Sequence, residues 1–213
     1  EKVYFNNSRG ERLAGILEYP EDLPKRMVLI LGPHPHLGGD IHNNVLETIA
    51  KSLQNKNTIR LRFDYHGTGE SQALLPEGIT LYDYYESLEQ KKEVTPFLED
   101  SLCAWDYLLS SFPSNAGIEK IVIGYSLGGY LAFSLIQRKN IDLVLVLVPP
   151  LCKYPILECQ QQVFCLNAEK DFLKSEHPPA NVVVETLENS DHFFRGQEQK
   201  VVQWVKKRIF EKG

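Results

Sequence analysis

The chain has 213 residues, 43% hydrophobic and 24% charged, which supplies apolar material for the core of one ordinary domain and excludes a disordered chain. Its net charge of -5 offers no basic field to nucleic acid or an anionic membrane surface, and no apolar run is long enough to span a bilayer. Four cysteines, Cys103, Cys152, Cys159 and Cys165, lack C-x-x-C spacing and read as reduced thiols. No signal-peptide pattern opens the sequence, so the expectation is a single cytoplasmic domain over residues 1–213.

In chain order, Val3 to Asn6 and Leu13 to Tyr19 read as two antiparallel strands joined by a polar turn. Met27 to Leu31 is a continuous apolar run, as a strand buried on both faces requires. The glycines and prolines of Gly32 to Asp40 make a loop, and a helix follows from Asn43 or Asn44 with Val45, Ile49, Ala50 and Leu53 on one face. Thr58 to Tyr65 is a strand, closed by the turn from His66 to Ser71. Residues 72–93 read as a surface excursion with one or two helical turns. Thr95 to Ser110 is a helix with Leu98, Leu102, Trp105 and Leu109 along one stripe.

Ile121 to Ile123 is a short buried strand, and Tyr130 to Ile136 a helix. Asp142 to Val148, Val163 to Leu166 and Val182 to Leu187 supply the remaining strands. A terminal helix carries Val201, Val202, Val205 and Ile209 on one face. Strands alternating with helices predict an α/β fold: a mostly parallel sheet of about eight strands with helices on both faces and ligands at the carboxyl ends of the strands.

Gly124-Tyr125-Ser126-Leu127-Gly128 fits G-x-S-x-G between a strand and a helix, the context of a nucleophile elbow. The two glycines leave room for a strained turn that lifts the Ser126 hydroxyl above the sheet. A serine hydroxyl needs a base, and the base needs an orienting acid. Both must follow Ser126 at strand ends. Asp171 lies beyond the strand that begins at Val163, with Glu169 the competing acid. His192 lies beyond the last strand, with His177 the competing base and Asp191 a turn residue. Oxyanion donors would be the Leu127 N–H and the N–H of His36 or Leu37, since Pro33 and Pro35 have none. His34, His36, Asp40 and His42 suggest a zinc cluster, but the spacing is wrong for one, and no metal or other cofactor is expected.

These residues resemble the alpha/beta-hydrolase superfamily over nearly the whole chain. Three patterns are similar to a small branch akin to dienelactone hydrolases and serine aminopeptidase-like proteins. They are His34-Pro35-His36 with Gly38-Gly39 and Asn43, the run from Arg62 to Ser71 (F-R-G-x-G-x-S in the branch), and Ser190-Asp191-His192-Phe193-Phe194 (A-D-H-F-F). The resemblance implies Ser126 as nucleophile, Asp171 as acid, His192 as base and a small acyl substrate. Dienelactone hydrolases use a cysteine nucleophile, so their substrate is not carried over. Lids in this superfamily fall between the strands ending at Val148 and beginning at Val163, where Pro149 to Gln162 is too short for a helical cap. The excursion 72–93 is expected to serve instead, with Tyr82, Tyr84 or Tyr85 lining the pocket beside Tyr125. The other reading is that these tyrosines pack the excursion onto the body. An acyltransferase with the same triad, or a binding protein without turnover, would share this sequence pattern.

Overall fold

The computed structural model describes residues 1–54, 56–112, 117–154 and 160–211. Cys159 lies outside them, as does part of the short segment between the sixth and seventh strands. Eight strands, β1 (Lys2–Asn6), β2 (Arg12–Glu18), β3 (Arg26–Leu31), β4 (Thr58–Phe63), β5 (Glu119–Tyr125), β6 (Leu143–Leu147), β7 (Val163–Ala168) and β8 (Val182–Leu187), form one sheet in the order β1-β2-β4-β3-β5-β6-β7-β8. β2 runs antiparallel to both its neighbours, β1 and β4, and every other pairing is parallel. The helices are α1 (Asn44–Ser52), α2 (Leu81–Lys91), α3 (Thr95–Ser110), α4 (Leu127–Ile136) and α5 (Glu198–Phe210). Among the described residues, no helix is long and apolar enough to cross a membrane.

The apolar strands have two faces to bury, and they use both. Met27, Leu29 and Leu31 of β3 join Val122 and Val144 in one core with residues of α3 and α4. Val28 and Ile30, with Ile121, Ile123 and Leu145, join the other core with α1 and α5. This period-two division makes each strand of the centre a two-sided apolar run. At about 1.5–3 kcal/mol per buried aliphatic side chain, these runs are the main source of stability.

Local chemistry sets the helix starts. The Asn43 side chain accepts from the N–H groups of Val45 and Leu46 and caps α1, and the Thr80 side chain accepts from the Asp83 N–H and caps α2. Two elements differ from expectation. α2 has 11 residues rather than one or two turns. α4 begins at Leu127 rather than Tyr130, with Gly128 and Gly129 inside its first turn. Those glycines are poor helix formers, but the helix cannot dock without Gly128: a Cβ there would lie 2.4 Å from the Leu31 carbonyl oxygen of β3.

The chain leaves β3 for β4 on one side and passes to β5 on the other. This reversal opens a crevice beyond the carboxyl ends of β3 and β5. The loop from Gly32 follows β3 and the Ser126 turn follows β5, so both lie at that crevice.

Candidate active site

Ser126 sits at φ 52° and ψ -116°, a left-handed conformation that a serine rarely adopts. Two close approaches hold it there. A Cβ on Gly124 would lie 2.3 Å from the Gly128 carbonyl oxygen, and one on Gly128 would collide with β3. The Ser126 N–H donates to the Leu147 carbonyl (2.9 Å) and the Gly128 N–H to the Gly32 carbonyl (3.0 Å), tying the turn to β6 and to the loop after β3.

The turn brings three distant residues into line. His192 Nε2 is 2.9 Å from Ser126 Oγ, and His192 Nδ1 is 3.0 Å from Asp171 Oδ2. All three residues are at most 5% exposed. The other Asp171 oxygen, Oδ1, accepts from the Leu173 N–H at 2.9 Å, which fixes the carboxylate plane. The Tyr125 hydroxyl donates to the His192 carbonyl at 3.1 Å and holds the histidine loop from below.

The competing residues are engaged elsewhere. A Glu169 carboxylate oxygen accepts from the Asn189 N–H at 2.6 Å, and backbone bonds from Glu169 to Leu187 and from Lys170 to Ser190 join the acid loop to the histidine loop. Asp191 Oδ1 accepts from the Phe193 N–H at 3.0 Å, as a turn residue does. His177 is exposed in the loop before β8.

The structure corrects the expected donors in the loop after β3. Pro35–Leu37 is a 3-10 turn whose own bonds consume the candidate N–H groups. The His36 N–H donates to His34 Nδ1 (3.2 Å) and the Leu37 N–H to the His34 carbonyl (2.8 Å). Leu127 is the first residue of α4, so its N–H has no partner within the helix.

A cavity of about 170 Å³ opens over Ser126. Ser126 and Leu127 form part of it, with His34 and Leu37 from the loop after β3 and Leu173 from the loop after β7. Pro150, Lys153 and Tyr154 come from the segment after β6, and Glu89 comes from α2. The expected pocket tyrosines are a second correction. Tyr82 and Tyr85 line a separate groove with His36, whose ring stacks on Tyr82 at 5.1 Å. Tyr84 packs against the core and Tyr125 is buried within it. The true walls carry no periodic signal. Only Pro149-Pro150, which stop β6, mark in the sequence where one wall begins.

His34 is buried against this cavity, and burial pushes its imidazole down to about 4, so it is neutral near pH 7. His34, His36, Asp40 and His42 do not converge on a metal site, because His34 Nδ1 faces a backbone N–H and the exposed His42 pairs with Glu47. Among the described residues, the ligating groups that do cluster are Glu11, His66 and Asp100. There the Arg9 guanidinium bonds both carboxylates and supplies the positive charge a metal would bring.

No family model matches this chain. An uncharacterised protein of Rickettsia prowazekii is 25% identical over 91% of this chain and 82% of its own length. An alpha/beta hydrolase of unknown function from Agrobacterium tumefaciens superposes with a TM-score of 0.78 at 21% identity, over 100% of this chain and 98% of that one. A serine hydrolase without a lid from Xanthomonas campestris superposes with a TM-score of 0.79 at 14% identity, over 99% and 94%. Strand order, the turn after β5 and superposition along the whole length agree: the chain has the alpha/beta-hydrolase fold.

Proposed function

We propose that the protein is a serine hydrolase that cleaves carboxylic esters or related small acyl compounds. The observation that carries this reading is the line from Asp171 through His192 to Ser126, with hydrogen-bond distances of 3.0 and 2.9 Å, at a cavity wide enough for a small acyl group. Similarity to a lidless serine hydrolase supports it.

In this reaction His192 carries its proton on Nδ1, held there by Asp171, and its Nε2 accepts the Ser126 proton as Oγ attacks the substrate carbonyl. The imidazolium that forms is stabilised by the Asp171 carboxylate. It then gives its proton to the departing alcohol. Water enters, loses a proton to Nε2, and releases the acid from the acyl-enzyme. The Leu127 N–H, at the start of α4, binds the oxyanion.

We assign the second oxyanion donor to the His34 N–H. The Pro33 carbonyl oxygen lies against Gly39, where a Cβ would come within 2.0 Å of it. In a trans peptide the His34 N–H points the opposite way, and no described group accepts from it. His34 itself lines the cavity.

Hydrolysis of p-nitrophenyl butyrate by the wild type and by Ser126→Ala tests the reading. The expected result is turnover by the wild type and a loss of about 10⁴-fold or more in the variant. Folded wild type with no turnover on a panel of short esters, or a variant as active as the wild type, would contradict it.

A further inference from the structure

The cavity over Ser126 has two charges in its lining. Lys153 Nζ donates to both carboxylate oxygens of Glu89, and both residues line the cavity. Each side chain is 30% exposed, so the pair is partly withdrawn from water. The Lys153 ammonium also lies 5.4 Å from the centroid of Tyr154, a buried ring packed at 5.0 Å against Tyr130. Among the described residues, this is the one ion pair that joins α2 to the rest of the molecule. On its other side α2 is fastened by Tyr85, whose hydroxyl donates to the His66 carbonyl. The pair therefore bridges two braced elements along the lining of the cavity.

Size and charge act together. A cavity near 150 Å³ holds a benzene-sized guest, so about 170 Å³ takes an acyl group of about six carbons. A longer straight chain must part Glu89 from Lys153. It would then bury methylenes against two charges that have lost both each other and water, which costs more than the methylenes return. We propose that the Glu89–Lys153 pair is the end wall of the acyl pocket and makes the protein selective for short acyl groups. This inference rests on the hydrolase reading of the same site. It identifies the excursion 72–93 as the source of one specificity residue, through Glu89 rather than through its tyrosines.

The test compares p-nitrophenyl butyrate with decanoate, and butyl with decyl acetate, on the wild type and on the double variant Glu89→Gln with Lys153→Met. Removing both charges leaves neither unpaired. The decanoate-to-butyrate ratio of kcat/KM is expected to rise about tenfold or more in the double variant, while the alcohol series is unmoved. The charge swap Glu89→Lys with Lys153→Glu keeps a pair and is expected to keep the wild-type ratio, which covers the case of a double variant that fails to fold. An unchanged ratio in a folded double variant, a swap that lengthens the preference as much as charge removal, or a shift in the alcohol series alone would overturn the proposal.

A second arm separates this claim from the hydrolase reading. Butanamide and decanamide binding is measured by calorimetry on Ser126→Ala protein with and without the double substitution. A gain of about tenfold in relative decanamide affinity supports the end wall even if no ester is turned over. No gain rejects it even if esters are hydrolysed.

Discussion

Two histidine–aspartate pairs are buried among the described residues, and they differ in what the rest of each pair touches. In one, His192 Nδ1 meets Asp171 and Nε2 meets the Ser126 hydroxyl. In the other, His66 Nδ1 lies 2.6 Å from Asp100 Oδ2, but His66 Nε2 is buried with no partner, among the rings of Tyr84, Tyr85 and Phe97. The acids differ as well. Asp171 has one further partner, a backbone N–H. Asp100 accepts from Arg9 and Asn7, each at 2.8 Å, and from the His66 N–H. A carboxylate already matched to a guanidinium has little charge left to stabilise an imidazolium, and a histidine with no hydroxyl on Nε2 has nothing to activate. The His66 pair ties the β1–β2 turn to α3 and to the turn after β4. On the proposed hydrolase reading, the same two residue types would thus serve proton transfer or cohesion according to their outer partners.

The largest expected contrast lies in turnover. Asp171→Asn should lower kcat/KM by about 10⁴-fold with a small change in stability, because the imidazole loses its tautomer and its counter-charge. Asp100→Asn should leave kcat/KM of the folded protein within a few-fold of wild type. Equal losses from the two changes, in ester assays normalised to folded protein, would erase the distinction.

Stability should show the reverse pattern. Asp100→Ala leaves the buried His66 backbone N–H and ring nitrogen without their acceptor and is expected to cost about 3–5 kcal/mol in urea unfolding. Little change there would mean that the cluster does not hold α3 in place.

A third histidine extends the comparison to pH. Burial holds the folded-state pKa of His34 at about 4, against 6.5 when it is free, with Glu89 opposing and His36 and Lys153 assisting. Between those values the unfolded chain binds more protons than the folded one. Stability from this group is therefore complete above pH 6.5 and is lost as pH falls toward 4, by about 3 kcal/mol in all. His34→Asn keeps an acceptor for the His36 N–H and does not titrate. The difference between its unfolding free energies at pH 7 and pH 4 should be smaller than the wild type's by that amount.

The smallest effect is expected from Tyr125→Phe. It removes one bond to the His192 carbonyl and should cost about 0.5–1.5 kcal/mol of stability, with a few-fold drop in kcat. A drop as large as that of Asp171→Asn would place Tyr125 in the chemistry itself.

The parts of this arrangement that were legible in the sequence are those where geometry forces residue types at fixed spacing. Gly124 and Gly128 are required by contacts closer than a Cβ allows, so the turn around Ser126 is written out in full. Asp171 and His192 could be ranked because the strands before them are short apolar runs and each residue lies just beyond a strand end. The walls of the cavity were not legible. Glu89 sits on a mostly polar helix whose inward residues, Tyr85 and Leu88, give a weak stripe, and Lys153 and Tyr154 lie in a segment with no period. The second backbone donor was misread because a run of prolines and histidines does not reveal that a 3-10 turn will use the N–H groups of His36 and Leu37. Arg60 and Arg62 alternate with the apolar residues of β4. Both are buried, held by the Leu53 and Ile41 carbonyls and by Glu18. The His66–Asp100 pair spans 34 positions and joins a turn to a helix, and nothing local announces it.

The central claim is that one histidine–aspartate pair activates a serine and the other does not. Intact-protein mass measurement after treatment with an alkyl fluorophosphonate tests it on the wild type, Ser126→Ala, His192→Asn and His66→Asn. The account predicts a single phosphonate adduct on wild type and on His66→Asn, and none on Ser126→Ala or His192→Asn. An adduct that survives in Ser126→Ala, or folded wild-type protein that takes up none, would contradict it.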